Sequence, residues 1–378
     1  MTRSRTGPSR SFAFRHFPSF FRVGLLLAGG LVLGAAPVLE AQEVPSRHAS
    51  SALPEVRPPS ERVSGLPGRM TAVDRECREL PSEGVRQRIV DVAVGEWIFF
   101  GSPVVDHVDE VRLLPPGMGQ RGVGIVVEST VGAGRVPLAN PEEAARVAAT
   151  IAGYWVVTPE GPGIVSQQNR AWNGTNGIGS RWVAPWSAAF VSWVMCEAGL
   201  ASQDRFRRAI AHRSYIDQAI RARDGAAPGA AYVAYDIGEA AVEPGDLLCN
   251  SRRPVYRNLA ERRRQMGTGA STHCDVVVKV DVEGERILAV GGNVLRSVSL
   301  KVLPARMSLD GDLRPSVDMR RPPFVHLKLS ADPVGLDALR ASRVVFEQLS
   351  CGNGMLPDAR VRYVASVIGT ANGALGRC

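Results

Sequence analysis

Hydrophobic and polar positions change their rhythm twice along this chain. From Ser82, apolar residues recur through Ile89-Val90 to Trp97-Ile98-Phe99-Phe100, which predicts a helix that begins near Ser82 and stops at Gly101. Asn140-Pro141-Glu142-Glu143 opens a second helix, with Asn140 as N-cap and Pro141 at its first position, running to about Trp155. A third runs from Ser187 to Ala198 and ends at Gly199. Ala188, Val191, Met195 and Ala198 line one face and Phe190, Trp193 and Val194 an adjacent one, so it is apolar nearly all round and predicted to be buried. Segments 204–211 and 215–222 read as two more helices, and 159–181, rich in Gly, Asn and Gln, reads as a long loop. Beyond residue 240 short apolar runs take over. Segments 246–249, 274–282, 286–290, 297–303 and 324–329 read as strands, with Glu283-Gly284 as a hairpin turn and 121–127 as an earlier short strand. Helices followed by strands give an α+β class.

The ends differ from this middle. Arg3, Arg5, Arg10, Arg15 and Arg22 precede the apolar run Val23 to Leu33, and small residues follow to Ala41. That order predicts a signal peptide over 1–41, with a membrane anchor as the alternative. The apolar run is short and Gly-rich against the roughly 20 residues a span needs. The expectation is an exported chain, periplasmic or secreted, with no stable membrane span after cleavage. Residues 42–80, rich in Pro, Ser and Arg, read as a linker or poorly ordered arm, 81–330 as the main unit, and 331–378 as a C-terminal helical segment. The leader holds five arginines and one acid, half of the formal charge of +8. What remains is too small for a nucleic-acid argument. The arginines at 252, 253, 257, 262, 263 and 264 fall between two strands and read as an exposed connection.

All six cysteines follow the leader, as an oxidising compartment allows, and permit fifteen pairings. Cys249 and Cys274 pair if their strands are neighbours; Cys351 and Cys378 bracket the C-terminal segment, which leaves Cys77 with Cys196. Cys-x-x-Cys and closely spaced His pairs are absent from the sequence, so neither a metal nor another cofactor is expected.

Candidate chemistry comes as an ordered series: Trp186-Ser187 at a helix start, Pro244-Gly245-Asp246 before a strand, His273 opening another, and Gly291-Gly292-Asn293 ending a third. The start Trp186-Ser187-Ala188-Ala189-Phe190-Val191 resembles the Trp-Cys-Ala-x-Phe-Val start of the CHAP amidases and their NlpC-type relatives. Pro244-Gly245-Asp246-Leu247 is similar to the turn that launches their first sheet strand, and His273 with Asp275-Val276-Val277-Val278 resembles their catalytic-His strand. Asp281 to Gly284, then Ile287 to Asn293, is similar to their hairpin ending in Ser-Glu-Gly-Asn. The likeness spans about 84–305. Closer still, the chain resembles an uncharacterised set of exported bacterial domains with Trp-Ser-Ala-Ala-Phe at this helix. The resemblance implies a papain-like unit, a helix packed on an antiparallel sheet, acting on amide bonds of peptidoglycan or wall-derived peptides.

Two departures stand out. Ser187 occupies the place of the nucleophilic Cys, and Gly291 that of an acidic residue. A hydroxyl needs a general base, so His273 would take its proton and Asn293 would orient the ring. Ser187 is equally suited to cap the helix, and Asn293 to sit in a turn. Trp182 and Trp186 are candidates to stack on a substrate, and His212 with Tyr215, three apart, to line the cleft. The alternative function is a catalytically inactive module of the same fold that binds wall fragments or an envelope protein partner.

Overall fold

The protein is described here by a computed structural model covering residues 56–108 and 141–345. The leader, the strand expected at 121–127, the Asn140 cap and the Cys351–Cys378 pair lie outside the described residues. Among those described, the fold is α+β. A small hairpin, β1 (Val63–Ser64) with β2 (Thr71–Ala72), precedes the main sheet. That sheet contains β3 (Val104–Asp106), β4 (Tyr232–Tyr235), β5 (Leu247–Arg253), β6 (Ser271–Asp281), β7 (Arg286–Val294), β8 (Ser297–Met307), β9 (Leu313–Pro315) and β10 (Val325–Leu329). Its order is β3-β8-β7-β6-β5-β10-β4, with β9 on β8. Every pairing is antiparallel except β3 with β8.

The helices are α1 (Val85–Phe99), α2 (Pro141–Val156), α3 (Gly161–Trp172), α4 (Ser187–Glu197), α5 (Arg213–Arg223), α6 (Leu259–Arg263) and α7 (Ala338–Ala341). Helix α4 is buried along its whole length and lies against β6 and β7, with α1 and α2 packed around it. Alternation along β7 explains the two layers: Leu288 and Val290 join the core under α4, while Ile287 and Ala289 join a smaller core with Leu303, Leu313 and Met319 on the other face. Gly199 ends α4 at φ +95°, where a Cβ would stand 2.4 Å from that of Leu80, so the predicted stop falls where only glycine fits.

The arm expected at 42–80 is, over 56–80, part of the packed unit. Arg62 is buried and its Nε donates to Glu197 Oε1 at 3.2 Å; Cys77 is disulfide-bonded to Cys196; Met70 exchanges two hydrogen bonds with the Asn169 amide. The unit also continues past residue 330, since Val280 N–H donates to Leu336 O and Lys279 pairs with Asp337. The long loop expected at 159–181 holds α3, which buries Val165, Gln168 and Trp172 at helical spacing. Segment 204–211 is not helical. Nor is the arginine connection all exposed: buried Arg262 grips Asp217 with two hydrogen bonds of 2.7 Å. The Asp246 of the Pro-Gly-Asp turn is structural, bonded to Arg86 Nη1 at 2.7 Å and to His326 Nε2 at 2.8 Å.

Candidate functional site

Four elements bring the site together. Ser187 is the first residue of α4, preceded by Trp186 at the N-cap, and makes no side-chain cap. Its Oγ lies 2.7 Å from His212 Nε2, and the residue is 8 % exposed. The capping reading of Ser187 therefore loses its bond to another partner. Because α4 starts here, and the first bond closing it runs from Phe190 N–H to Trp186 O, the N–H groups of Ser187, Ala188 and Ala189 have no intrahelical acceptor.

His212 stands at the N-cap of α5, buried. The backbone N–H of Cys274 donates to its Nδ1 at 3.2 Å, and the Tyr215 hydroxyl also reaches Nδ1. A backbone N–H can only donate, so Nδ1 keeps its lone pair and the neutral ring carries its proton on Nε2. That proton points at Ser187 Oγ. Burial, and then the neighbouring His273, push the His212 pKa well below the ordinary imidazole value, so the ring stays neutral. Burial likewise keeps the Tyr215 phenol protonated.

His273 and Asp275 are two apart on β6 and so share a face. His273 Nε2 lies 2.8 Å from Asp275 Oδ1, and Lys301 Nζ of β8 donates to Asp275 Oδ2 at 2.7 Å. Burial pushes the Asp275 carboxyl up, but His273 and Lys301 together outweigh it and hold the pKa below the usual carboxylate range. Asp275 is thus an acceptor only, and the His273 proton sits on Nε2. The lone pair is on Nδ1, which has no hydrogen-bond partner among the described residues. The His273 and His212 rings meet edge to face with centroids 5.1 Å apart.

Strand β7 runs between Asp275 and Lys301, and Gly291 explains how they meet across it. A Cβ on Gly291 would stand 2.0 Å from Asp275 Oδ1 and 3.1 Å from His273 Nε2. The carboxylate of Asp275, on the neighbouring strand, fills the space a side chain at 291 would need. Gly291→Ala should therefore expel the carboxylate from His273. The expected result is about 1–3 kcal/mol of destabilisation from overpacking together with loss of the His273–Asp275 hydrogen bond, read by thermal unfolding and by the NMR titration of the His273 ring.

Of the residues expected from sequence, Ser187, His212, Tyr215 and His273 come together around His212, which bonds Ser187 through Nε2 and Tyr215 through Nδ1 and packs its ring on His273. Asn293 does not join them: it lies near the end of β7, where the register with β8 shifts between Gly291 and Val294, at φ +58°, and makes no side-chain hydrogen bond among the described residues. Asp275 orients His273 in its place. Trp186 is 2 % exposed and stacked against Phe100 and Tyr154, so it is core, not a ligand platform. Trp182, half-buried, packs on Trp155 and Trp172. Asp275 and Lys301 join the cluster without being candidates from sequence, although His-x-Asp on one strand is a visible signal. Cys274 is bonded to Cys249, which excludes it as a nucleophile. Both disulfides fit an oxidising compartment, and among the described residues no helix is long and apolar enough to cross a membrane. No cluster of His, Cys, Asp and Glu there could hold a metal ion.

Residues 145–329 match a family described as an uncharacterized protein conserved in bacteria (DUF2272). The match holds the whole cluster, from Ser187 to Lys301. No curated protein and no solved structure matches the chain.

Proposed function

We propose that this is an exported amidohydrolase, periplasmic or secreted, of papain-like design, in which Ser187 attacks the carbonyl carbon of a peptide amide. The observation that carries the reading is the set of hydrogen-bond partners of the two rings, the Cys274 N–H on His212 Nδ1 and the Asp275 carboxylate on His273 Nε2, which call for opposite lone-pair positions. His212 donates to Ser187 Oγ, so the hydroxyl proton is left for another acceptor. His273, packed against His212, has its lone pair on Nδ1 because Asp275 holds the proton on Nε2. His273 is therefore the general base and Asp275, braced by Lys301, orients it. The His212 Nε2–H steadies charge developing on Oγ, and the N–H groups at the start of α4 receive the oxyanion. Peptidoglycan peptides are the proposed substrate class, on the resemblance of 84–305 to wall amidases.

The test is incubation of the mature chain with purified peptidoglycan, soluble products being followed by mass spectrometry from acid to neutral pH. New amine and carboxylate ends are expected. The charges facing His273 are Asp275, which favours its protonation, and Lys301 and Arg252, which oppose it; burial is the largest influence and also opposes it. Its pKa is lowered, and only the neutral ring accepts a proton. Hence kcat/KM is full at neutral pH and falls as pH drops through a value below about 6.5. An acid limb above 6.5, or no product, goes against the reading. The slight exposure of Ser187 favours one rival, an inactive module that binds wall fragments or an envelope protein. Binding without turnover supports that rival.

A further inference from the structure

Strand β5 loses its regular pairing after Ser251. Ser251 pairs with Thr272 and Arg253 with Ser271, so Arg252 is the extra residue of a β-bulge, two positions beyond the Asn250–His273 pair. Bulges beside active sites re-aim side chains. Arg252 is exposed. Within the same connection Arg257 meets Glu261, Arg262 meets Asp217 and Arg263 meets Asp224, whereas Arg252 meets no carboxylate among the described residues. Its charge nonetheless reaches His273 and opposes protonation of that ring. A fixed cation beside a base that must accept a proton hinders catalysis, unless an anion arrives with the substrate.

We infer that Arg252 binds a carboxylate carried by the leaving amine, so that the bond cleaved is the one joining a C-terminal amino acid to the rest of a peptide. This rests on the Ser187–His273 reading and adds the substrate class. The side of the bond follows from the path of the proton. Ser187 Oγ bonds to the scissile carbon while its proton passes to His273 Nδ1. The C–N bond then breaks as His273 gives that proton to the leaving nitrogen. Water adds to the resulting ester, its proton returns through His273 to Ser187 Oγ, and the acid is released. The leaving amine therefore lies against His273, where the Arg252 guanidinium can take a carboxylate on the adjoining carbon by two parallel hydrogen bonds.

The probes are N-acetyl-alanyl-alanine, with either hand at its terminal residue, and the same peptides ended by a carboxamide. Their binding to full-length Ser187→Ala is followed by NMR titration, alone and combined with Arg252→Gln or Arg252→Lys. At least one free acid should bind about tenfold or more tightly than its amide. Arg252→Gln should erase that preference and Arg252→Lys keep part of it. Equal binding of acid and amide, no binding of either, or a preference that survives Arg252→Gln overturns the inference. Release of alanine by the parent chain is measured in parallel. A carboxylate preference without release leaves the Arg252 assignment standing and overturns the hydrolase reading instead.

Discussion

Ser187→Ala is expected to lower turnover about ten-thousandfold or more while leaving the fold unchanged. The removed atom is one oxygen, and its bond to His212 is the hydroxyl's only hydrogen bond among the described residues. Helix α4 does not depend on that oxygen for capping, and the side chains packed along the helix remain in place. Thermal unfolding should therefore shift by no more than about 1–3 kcal/mol, the cost of a buried His212 N–H left without its acceptor. That is far less than the expected loss of turnover, which separates a chemical role from a structural one. Ser187→Cys should keep measurable turnover and become sensitive to iodoacetamide. A thiolate at this position would meet the start of α4 and the His212 N–H, both of which favour negative charge. If Ser187→Ala keeps parental turnover, the nucleophile lies elsewhere.

Asp275→Asn carries the second large effect, about a thousandfold to ten-thousandfold in kcat. The ionised carboxylate fixes the His273 proton on Nε2; an amide can present N–H instead and force the proton to Nδ1, where it blocks attack. The substitution also leaves the Lys301 ammonium without its anion in a nearly closed setting. The expected signature is a collapse of kcat greater than any rise in KM. An unchanged kcat would remove Asp275 from the catalytic group and return the orienting role to another residue.

The frame of this fold is legible in the sequence where burial imposes a period. Helix α4 and strands β5 to β8 are apolar runs with clear stops, and their adjacency makes the Cys249–Cys274 bond readable as well. What escaped depends on contacts without a period. Segment 56–80 is held by Arg62 on Glu197, a distant polar link that leaves no pattern in a Pro-rich stretch, although its Cys77–Cys196 bond is the pairing expected from sequence. Helix α3 hides behind Gly161-Pro162-Gly163, and only its buried face betrays it.

The site divides in the same way. Ser187 and His273 are recognisable from chain order. His212 is not, because its tie to Ser187 spans 25 residues and depends on how α5 enters the sheet. Chain order and the resemblance to a Ser-Glu-Gly-Asn pattern single out Asn293, yet it is Gly291 that matters: its missing side chain leaves room for Asp275.

The most direct measurement is to treat the mature chain with a fluorophosphonate and locate the adduct by peptide mass spectrometry. One adduct is expected, on Ser187, formed by the parent and lost in His273→Ala. No adduct on Ser187 would contradict the Ser187–His273 reading. So would an adduct that forms as readily in His273→Ala as in the parent, because the base would then not be His273.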